Sequence, residues 1–541
     1  MKVEYKELEI EKLSNSDLIF LKKGNFWFFL SQNIKSRYFG GFFRKNKKVY
    51  RFLDDLIFYQ KIEKIQILNE FKVILWFKNN KCQISLEDNA LNIIFLKNEN
   101  LDINFDIKEI FDNEPFKRKV LIKKLNPSTF LIKQYLDNKN IFNLIIKVYG
   151  QAKEFNSWQE KFYNFDKNRN SPPYNWWIYK GLKIFAQKIK IKILNEKNNI
   201  NTLEISKEKS ETLNSQNKTI IDFILRRILN LQLDNYLPAG FPWFFEHWYR
   251  DEILSLHLIK RFISQNFFQE KINFYLNNLD FIFLSNKEEN SVLTSDTFLL
   301  LIEILDKKNL ILHFNSLEKY FVEWQKTFIK DNNFNLPPYS TWMDSIFKKQ
   351  SLEISVLYFK ILTKFSKINN RYKKLSLEIK KNIKNFIKIN PKDINLILVY
   401  LFTKNLFQIQ EWEVLFENLL KSHYLNWGGI STLNIDSPMF QPEDKGELNI
   451  AYHQGDSWYY LNNLLAYCLL EINPKKFEKI IKKIVYSSLI DLLEDGVLGY
   501  SSEISSAKER KSEGCLAQTW SMASLLFLLS FFQNIDIFLK S

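Results

Sequence analysis

The stretch Leu237-Pro-Ala-Gly-Phe-Pro-Trp-Phe-Phe-Glu-His-Trp-Tyr-Arg-Asp-Glu252 places an arginine and two acids directly after a run of aromatic residues. Two further segments have the same character. Ser340-Thr-Trp-Met-Asp344 sets a carboxylate beside a tryptophan, and Glu503 begins a segment that closes on Gly514-Cys-Leu-Ala-Gln-Thr-Trp-Ser521. Aromatic faces beside carboxylates suit a carbohydrate site, because sugars stack their C–H faces on rings and share hydroxyls with charged groups. Two carboxylates on separate segments are also what glycoside hydrolysis requires.

The sequence around these motifs predicts helices from residue 219 onward. Ile220, Ile224 and Ile228 recur at helical spacing. Later segments, including Trp458–Glu471 and Gln518–Phe532, are apolar on nearly all sides, so they must be buried on all sides. Two concentric layers of helices would bury the inner layer in this way, and roughly 320 residues suffice for about twelve helices. This indicates an α/α toroid with its functional residues on loops at one end.

The region before the helices has a different pattern. Residues 1–155 contain short apolar runs at hairpin-like spacing, such as Phe26–Leu30 and Leu91–Leu96, which predict an antiparallel β-sandwich-like domain. Residues 156–218 form a linker region by this interpretation. Within it, Trp176–Ile193 has helical apolar spacing, and Glu196–Lys218 is polar. The predicted fold class is mostly α, with domains at 1–155 and 219–541.

The composition is that of a folded, basic protein. The 541 residues are 46% hydrophobic with only 13 Gly and 12 Pro, so large cores and long helices are expected. The net charge of +16 has two interpretations. It could mark a polyanion partner such as nucleic acid, or it could reflect a general excess of lysine. The lysines are scattered and form no basic stripe with aromatic residues between them, so no nucleic-acid partner is predicted.

The cysteines and the hydropathy pattern indicate the cellular compartment of the protein. Cys82, Cys468 and Cys515 are far apart and odd in number, which argues against a disulfide framework and for a reducing compartment. No CxxC or HExxH motif is present, so no metal site is predicted. The N-terminal residues lack the apolar stretch of a signal peptide, and no segment has the length and apolarity of a membrane span. We therefore expect a cytoplasmic protein without membrane contact.

Each motif taken alone has an ordinary structural explanation. Asp251 could simply begin a helix, where acids in the first turn are favourable. Asp344 could be a helix N-cap, and Glu503 could be a solvated loop residue. The functional interpretation of Asp344 is that an acid against an apolar ring has a raised pKa and can stay protonated as a general acid. Glu503, entering a helical end from a loop, could hold a water molecule as general base.

Taken together and in order, the motifs resemble the catalytic domain of the amylo-α-1,6-glucosidase (glycogen-debranching) family. The matching elements are Ala239–Glu252, Thr341–Ser345 with the following Glu353, Tyr452–Trp458 and Ser501–Ser521. The resemblance covers roughly residues 219–541. Before them, Ser36–Gly41 is only loosely similar to a strand motif of that family's β-domain.

The resemblance implies an (α/α)6 toroid and an inverting hydrolysis of α-linked glucose without metal or organic cofactor. By this match Asp344 is the general acid and Glu503 the general base. Arg250 and Asp251 match residues that hold the terminal glucose. The remaining residues match the wall of the substrate pocket: Trp243, Phe245, Trp248, Trp342, Glu353, His453, Asp456, Trp458, Gln518 and Trp520.

Two departures from the family pattern affect the expected substrate. The usual Arg and Gly between the Asp344 block and the helix carrying Glu353 are missing, which shortens the loop at 346–350. The chain also has no room for the glucanotransferase domain of the large eukaryotic enzymes. Either a separate glucanotransferase or phosphorylase trims the same α-glucan to single-glucose branches, or this chain acts directly on short branches or oligosaccharides.

Two other functions stay open at this point. A glucoamylase-like or trehalase-like hydrolase of the same toroid class would use the same two carboxylates on another linkage. A non-catalytic glycan-binding protein would keep the toroid and lose the chemistry, although the presence of both Asp344 and Glu503 argues against it.

Overall fold

The computed structural model describes residues 1–87, 89–114, 117–194, 215–288, 292–331, 333–348, 350–448, 450–535 and 538. Most of the predicted polar segment Glu196–Lys218, namely 196–214, therefore lies outside the described residues. The first strands are β1 (Lys2–Tyr5), β2 (Ile10–Leu13), β3 (Ile19–Lys23), β4 (Phe26–Leu30), β5 (Gly40–Lys45), β6 (Lys48–Phe58), β7 (Lys64–Asn69), β8 (Lys72–Trp76), β9 (Lys81–Glu87), β10 (Ala90–Glu109), β11 (Arg118–Asn126), β12 (Thr129–Leu136), β13 (Lys139–Phe162) and β14 (Asn175–Ile193), with the short helix α1 (Asn164–Asn168) before β14.

These fourteen strands form one branched sheet, which we call the sheet domain. Its main path runs β11-β12-β13-β14-β10-β9-β8-β7-β1-β2, and all neighbours along it are antiparallel except β1 and β7. The long strand β10 pairs with β9 through its first half and with β6 through its second half, so β6, β5, β4 and β3 branch away. The branching gives the predicted sandwich-like arrangement, although the single parallel pair makes the sheet mixed.

The helix predicted over Trp176–Ile193 is wrong, because this segment is strand β14. It lies between β13 and β10 in the middle of the sheet. Its pairing shifts register next to Ala186 on both neighbours, which changes which face each following residue occupies. Buried residues therefore alternate at Leu182, Ile184 and Ala186 before the shift and at Ile189, Ile191 and Ile193 after it. Four of these six, Leu182, Ala186, Ile189 and Ile193, also have the spacing of a helix.

The helical part confirms the toroid. Its helices are α2 (Ser215–Leu231), α3 (Tyr249–Ile259), α4 (Gln265–Asn277), α5 (Leu279–Ile282), α6 (Thr297–Ile304), α7 (Lys307–Leu312), α8 (Phe314–Phe328), α9 (Leu352–Ser366), α10 (Tyr372–Ile389), α11 (Leu396–Thr403), α12 (Ile409–His423), α13 (Tyr459–Ile472), α14 (Glu478–Leu493) and α15 (Thr519–Leu529). Two-residue strands β15 (Gly240–Phe241), β16 (Ile329–Lys330), β17 (Asn333–Phe334), β18 (Ser457–Trp458), β19 (Ile504–Ser505) and β20 (Ala517–Gln518) lie between them.

Among the described helices, α3, α6, α9, α11, α13 and α15 form the inner ring. Each contacts the next, and α15 contacts α3, so the ring closes on itself. These are the helices whose residues are buried on nearly every side, as their sequences predict. The outer helices have one buried face; among them α2 packs on α15, α10 on α9, and α12 and α14 on α13.

The inner helices all begin at the same end of the ring. Contacts between their first turns and the loops that precede them show this, among them a hydrogen bond from Nε1 of Trp342 to Oδ1 of Asn395, the N-cap of α11. Arg250 pairs with Asp296, the Trp342 ring contacts Trp458, and β15 pairs with β20. The three sequence motifs therefore meet at one mouth.

The sheet domain packs against the same end of the molecule. Phe20 contacts Phe241 and Tyr500, and the Tyr5 hydroxyl donates to the Leu493 carbonyl at 2.6 Å. One continuous hydrophobic core runs through both parts. None of the helices in the described ranges has the length and apolar character needed to cross a membrane.

Candidate active site

Arg250, in the first turn of α3, links two carboxylates at the mouth. Its Nε lies 2.8 Å from Oδ2 of Asp296, and its Nη1 lies 3.2 Å from Oδ2 of Asp344. Nη2 donates to the hydroxyl of Thr294 at 3.3 Å. The guanidinium is almost fully buried, so these contacts fix its position. Arg250 therefore holds Asp344 in place through this contact.

Asp344 lies in the loop before α9 and caps no helix, since the N-cap of α9 is Ser351. Its side chain keeps 35% of its surface exposed, so a ligand can reach it. Burial of the carboxyl raises its pKa, while the charge and hydrogen bond of Arg250 act in the opposite direction. The net direction is upward, as a general acid requires.

Asp251 is next to Arg250 and only 6% exposed. Within the described part of the chain, its carboxylate makes no hydrogen bond. Burial raises its pKa to about 8, against the opposing charge of Arg250. A buried carboxylate in this state gains from any hydroxyl donor that enters the pocket.

Glu503 lies in the loop before β19 and is 3% exposed. The Tyr452 hydroxyl donates to its Oε1 at 2.7 Å, and the backbone N–H of Cys515 donates to its Oε2 at 2.9 Å. Burial raises the pKa of Glu503 to about 7, opposed first by the Cys515 N–H and then by Tyr452. The charge of Asp344 raises it further, so the two carboxyls interact across the pocket.

An aromatic cluster forms one side of the mouth. The rings of Trp342 and Trp458 lie 5.6 Å apart, and Trp458 and Trp520 lie 5.7 Å apart. His453 stacks on Trp458 at 4.9 Å, and its Nδ1 lies 2.7 Å from the hydroxyl of Ser345. Burial lowers the pKa of His453 well below its usual value, so the ring is neutral. These four residues pack on one another and on the rings of Tyr452 and Tyr460.

Two more predicted residues are buried acids. Glu353, in the first turn of α9, and Asp456, before β18, have both carboxylate oxygens buried without a hydrogen-bond partner among the described residues. Burial raises the pKa of Glu353, and burial together with the nearby Asp444 and Glu513 raises that of Asp456 to about 9. Asp456 is therefore a neutral acid at neutral pH, and burial favours the neutral form of Glu353.

Trp243 and Trp248 line a cavity of about 510 Å³ that also contains Glu503 and Tyr452. Phe245 packs elsewhere, against Phe111 and Trp27 of the sheet domain. The Gln518 side chain, with its amide oriented to satisfy both bonds, donates to the Ala239 carbonyl and accepts from Nε1 of Trp520. Phe245 and Gln518 therefore support the pocket from behind.

Sequence reasoning missed several partners of these residues. Asp296 and Thr294 orient Arg250, and the Tyr452 hydroxyl and the Cys515 N–H hold Glu503. Tyr452 was within a recognised motif, so its aromatic hydroxyl was a usable signal. Asp296 had no such signal, because it lies in a loop without other motif residues.

Comparison with known proteins confirms the resemblance stated above. Residues 270–527 match the family model described as Amylo-alpha-1,6-glucosidase. A bacterial glucoamylase complexed with acarbose has a similar fold, with a TM-score of 0.54, 10% identity and 98% of each chain covered. No curated protein sequence matches the chain.

Two further solved structures show lower similarity. The GH63 mannosylglycerate hydrolase from Thermus thermophilus has a TM-score of 0.42 and 8% identity, covering 58% of this chain and 100% of its own. The glucoamylase from Saccharomycopsis fibuligera has a TM-score of 0.40 and 12% identity, covering 61% and 96%. The family match and the fold together define a glycoside hydrolase of the (α/α)6 class.

Proposed function

We propose that the protein is an inverting glycosidase that releases single α-1,6-linked glucose units from glycogen, limit dextrin or a related α-glucan. Asp344 donates a proton to the glycosidic oxygen, and Glu503 takes a proton from a water molecule on the opposite face of the sugar. The C–O bond to the leaving chain breaks as the water oxygen bonds to the anomeric carbon, so the product glucose has inverted configuration. The separation of the two carboxyl groups expected for this reaction is about 6.5–9.5 Å.

The observation that carries the proposal is the pairing of two differently held carboxyls at one mouth. Asp344 is partly exposed and bound to one cation, as suits a group that touches the leaving oxygen. Glu503 is buried and accepts two hydrogen bonds that favour its charged form, as suits a base. Asp251 and Arg250 between them offer acceptors and donors to the hydroxyls of the glucose that is released.

The linkage and the partners belong to the same proposal. The family match supports an α-1,6 bond, and a separate glucanotransferase or phosphorylase would then prepare the single-glucose branches. A reducing, cytoplasmic location fits the three cysteines, which are all free and buried.

A glucoamylase-like activity on short α-1,4-linked oligosaccharides is the second candidate. The fold shared with the bacterial glucoamylase over 98% of both chains favours it. The same Asp344 and Glu503 would perform the reaction, so the two candidates differ only in the linkage accepted.

The deciding experiment measures glucose release from phosphorylase-limit dextrin pretreated with a glucanotransferase, with NMR of the newly formed anomer. We expect β-glucose from the α-1,6 stubs, and none from the Glu503→Gln variant. Release only from maltose oligomers would favour the glucoamylase-like candidate. A failure to release glucose from any α-glucoside would contradict both and favour a glycan-binding protein.

A further inference from the structure

The sheet domain supplies part of the wall of the cavity that contains Glu503. On the ring side the cavity is lined by Trp243, Trp248 and Tyr452, among others. On the other side it is lined by three residues that precede the ring in the chain, namely Tyr38, Phe111 and Arg169. The volume of about 510 Å³ is within the range of small-molecule sites. The space is therefore built by two parts of the molecule.

Arg169 is held over the aromatic floor of this cavity. Its guanidinium carbon lies 3.7 Å from the ring centre of Trp243, and the Tyr38 ring lies 5.7 Å from the same ring. The backbone carbonyl of Arg169 accepts a hydrogen bond from the N–H of Glu447 at 2.9 Å, which fixes the residue by its main chain. Its Nη1 is buried and has no hydrogen-bond partner among the described residues. A buried donor in this state favours a ligand that brings an acceptor.

The charges around the cavity indicate which ligand it accepts. Besides Glu503, the lining contains Glu246, Asp444 and Glu447, against the single cation Arg169. This excess of carboxylates disfavours an anionic ligand. Hydroxyl groups can donate to the carboxylates and accept from Arg169, while apolar C–H faces lie on Trp248 or Phe111. A neutral sugar has both features.

We propose that this cavity is a second sugar subsite, in which Arg169, Tyr38 and Phe111 of the sheet domain contact a glucosyl unit of the substrate other than the one released. The inference rests on the proposed function and adds a specificity role for the sheet domain. It follows that the protein selects glucans by chain length, and that the sheet domain is needed for this selection.

The test compares two substrates in one protein. α-D-Glucosyl fluoride has one sugar and does not reach the second subsite, whereas 6-α-glucosyl-maltotriose does. For Arg169→Met we expect the ratio of kcat/KM on the tetrasaccharide to kcat/KM on the fluoride to fall about tenfold, as for loss of one charged hydrogen bond. Glu503 serves both substrates, so any change in its pKa cancels in this ratio. An unchanged ratio would overturn the inference.

Two further variants control the result. Phe111→Ala removes a ring that is 49% exposed, so it tests the subsite without opening the core, and we expect the ratio to fall in the same direction. Lys167→Met removes a positive charge from the short helix α1, which directly precedes Arg169, and Lys167 is exposed and faces Tyr174. We expect the wild-type ratio from it, and an equal fall in this variant would count against a specific role of Arg169.

Failure of the proposed function can be told apart from failure of this inference. If the wild type hydrolyses neither substrate, the catalytic proposal is wrong. Binding of maltotriose, followed by calorimetry, then tests the subsite directly. Weaker binding in Arg169→Met than in Lys167→Met supports the subsite, and equal binding overturns it.

Discussion

Buried carboxylates in the sheet domain and at the mouth of the ring differ in the number of partners they have. In the sheet domain, Asp54 accepts from Arg51 at 2.6 Å, from Lys161 at 2.7 Å and from the Tyr163 hydroxyl at 2.6 Å. Although burial acts to raise its pKa, Lys161 and Arg51 lower it to about 2. At the mouth, Asp456 has two unpartnered oxygens among the described residues and a pKa of about 9.

The same contrast exists between two adjacent residues. Glu252 accepts from Lys271 at 2.7 Å and from the Leu237 N–H at 2.9 Å, and contacts His247 at 2.6 Å, so its pKa lies far below its usual value. Asp251, one residue earlier, has a pKa of about 8. Two buried carboxyls therefore favour opposite charge states, and the charged and hydrogen-bonding partners of each one determine its state. At these two positions, the carboxylate whose partners are already present holds the fold, and the one without them is available to a ligand.

The largest expected effect is on catalysis. Asp344→Asn and Glu503→Gln each remove a proton-transfer group, so we expect kcat to fall about 10³-fold or more with the fold intact. Initial rates of glucose release measure the loss of kcat, and thermal unfolding checks that the fold is intact. Azide should restore some activity to the Glu503 variant, since a small anion can replace a missing base.

Glu509→Gln is the matched control for Glu503, because it changes an exposed carboxylate six residues further along the same segment. It should keep wild-type activity. Near-normal activity in either Asp344→Asn or Glu503→Gln would remove that residue from the mechanism.

The second effect is on stability and should be confined to the sheet domain. Asp54→Asn leaves Arg51 and Lys161 buried without their common anion, which we expect to lower the free energy of unfolding by about 3 kcal/mol. Denaturant unfolding measures this. Asp137→Asn, which breaks an exposed pair with Lys117, should cost less than about 1 kcal/mol. Equal losses in the two variants would mean that the buried partners of Asp54 stabilise the fold no more than an exposed ion pair does.

The third effect is a gain in the free energy of unfolding, rather than a loss, and it depends on pH. The folded-state pKa of Asp456 is raised to about 9, so the folded protein retains a proton that the unfolded chain loses near pH 4. Its contribution to stability therefore falls as pH rises from about 4 to about 9, by at most about 1.4 kcal/mol per unit. Asp456→Asn should be more stable than wild type at pH 8, by about 1 kcal/mol or more, and similar to it at pH 4.

Thermal unfolding of the two proteins across this pH range checks the sign. The exposed Asp436→Asn serves as control and should show no such trend. A stability difference that stays constant with pH would mean that Asp456 is not held neutral.

The smallest effect concerns the pH profile of catalysis. Glu503 must be charged to act as a base, so kcat/KM should rise with pH through about 7. Tyr452→Phe removes a hydrogen-bond donor that stabilises the Glu503 carboxylate, so the pKa of Glu503 rises. The rise of kcat/KM with pH should therefore move to higher pH by up to about one unit. Tyr486→Phe, at an exposed position, should leave the pH profile unchanged. A shift to lower pH in the Tyr452 variant would exclude the assigned role.

The ring could be predicted from the sequence because its inner helices are buried on all sides. Segments such as Trp458–Glu471 have no polar face, and only an inner layer accommodates them. Strand β14 could not be predicted in this way. Its buried apolar residues move from even to odd positions at a register shift, and that shift is set by the pairing with β13 and β10 rather than by the local sequence.

The candidate site shows a similar division. Arg250, Asp344 and Glu503 lie in motifs of unusual composition, so the sequence indicated them. Asp296 and Arg169 lie in unremarkable segments and reach the mouth only through the closure of the ring and the packing of the sheet domain. Tertiary contacts of this kind leave no periodic or compositional signal.

The closure of the inner ring has a consequence for synthesis. Helix α3 packs against α15, which is made only with residues 519–529, and β15 pairs with β20, which is made only with Ala517–Gln518. Most strands of the sheet domain pair with neighbours close in sequence, so they can assemble while the chain is still emerging from the ribosome. The ring cannot close until residue 529 has left the exit tunnel. A nascent chain is therefore without a closed pocket until residue 529 has emerged, and during that interval its apolar inner helices are the segments most in need of chaperone protection.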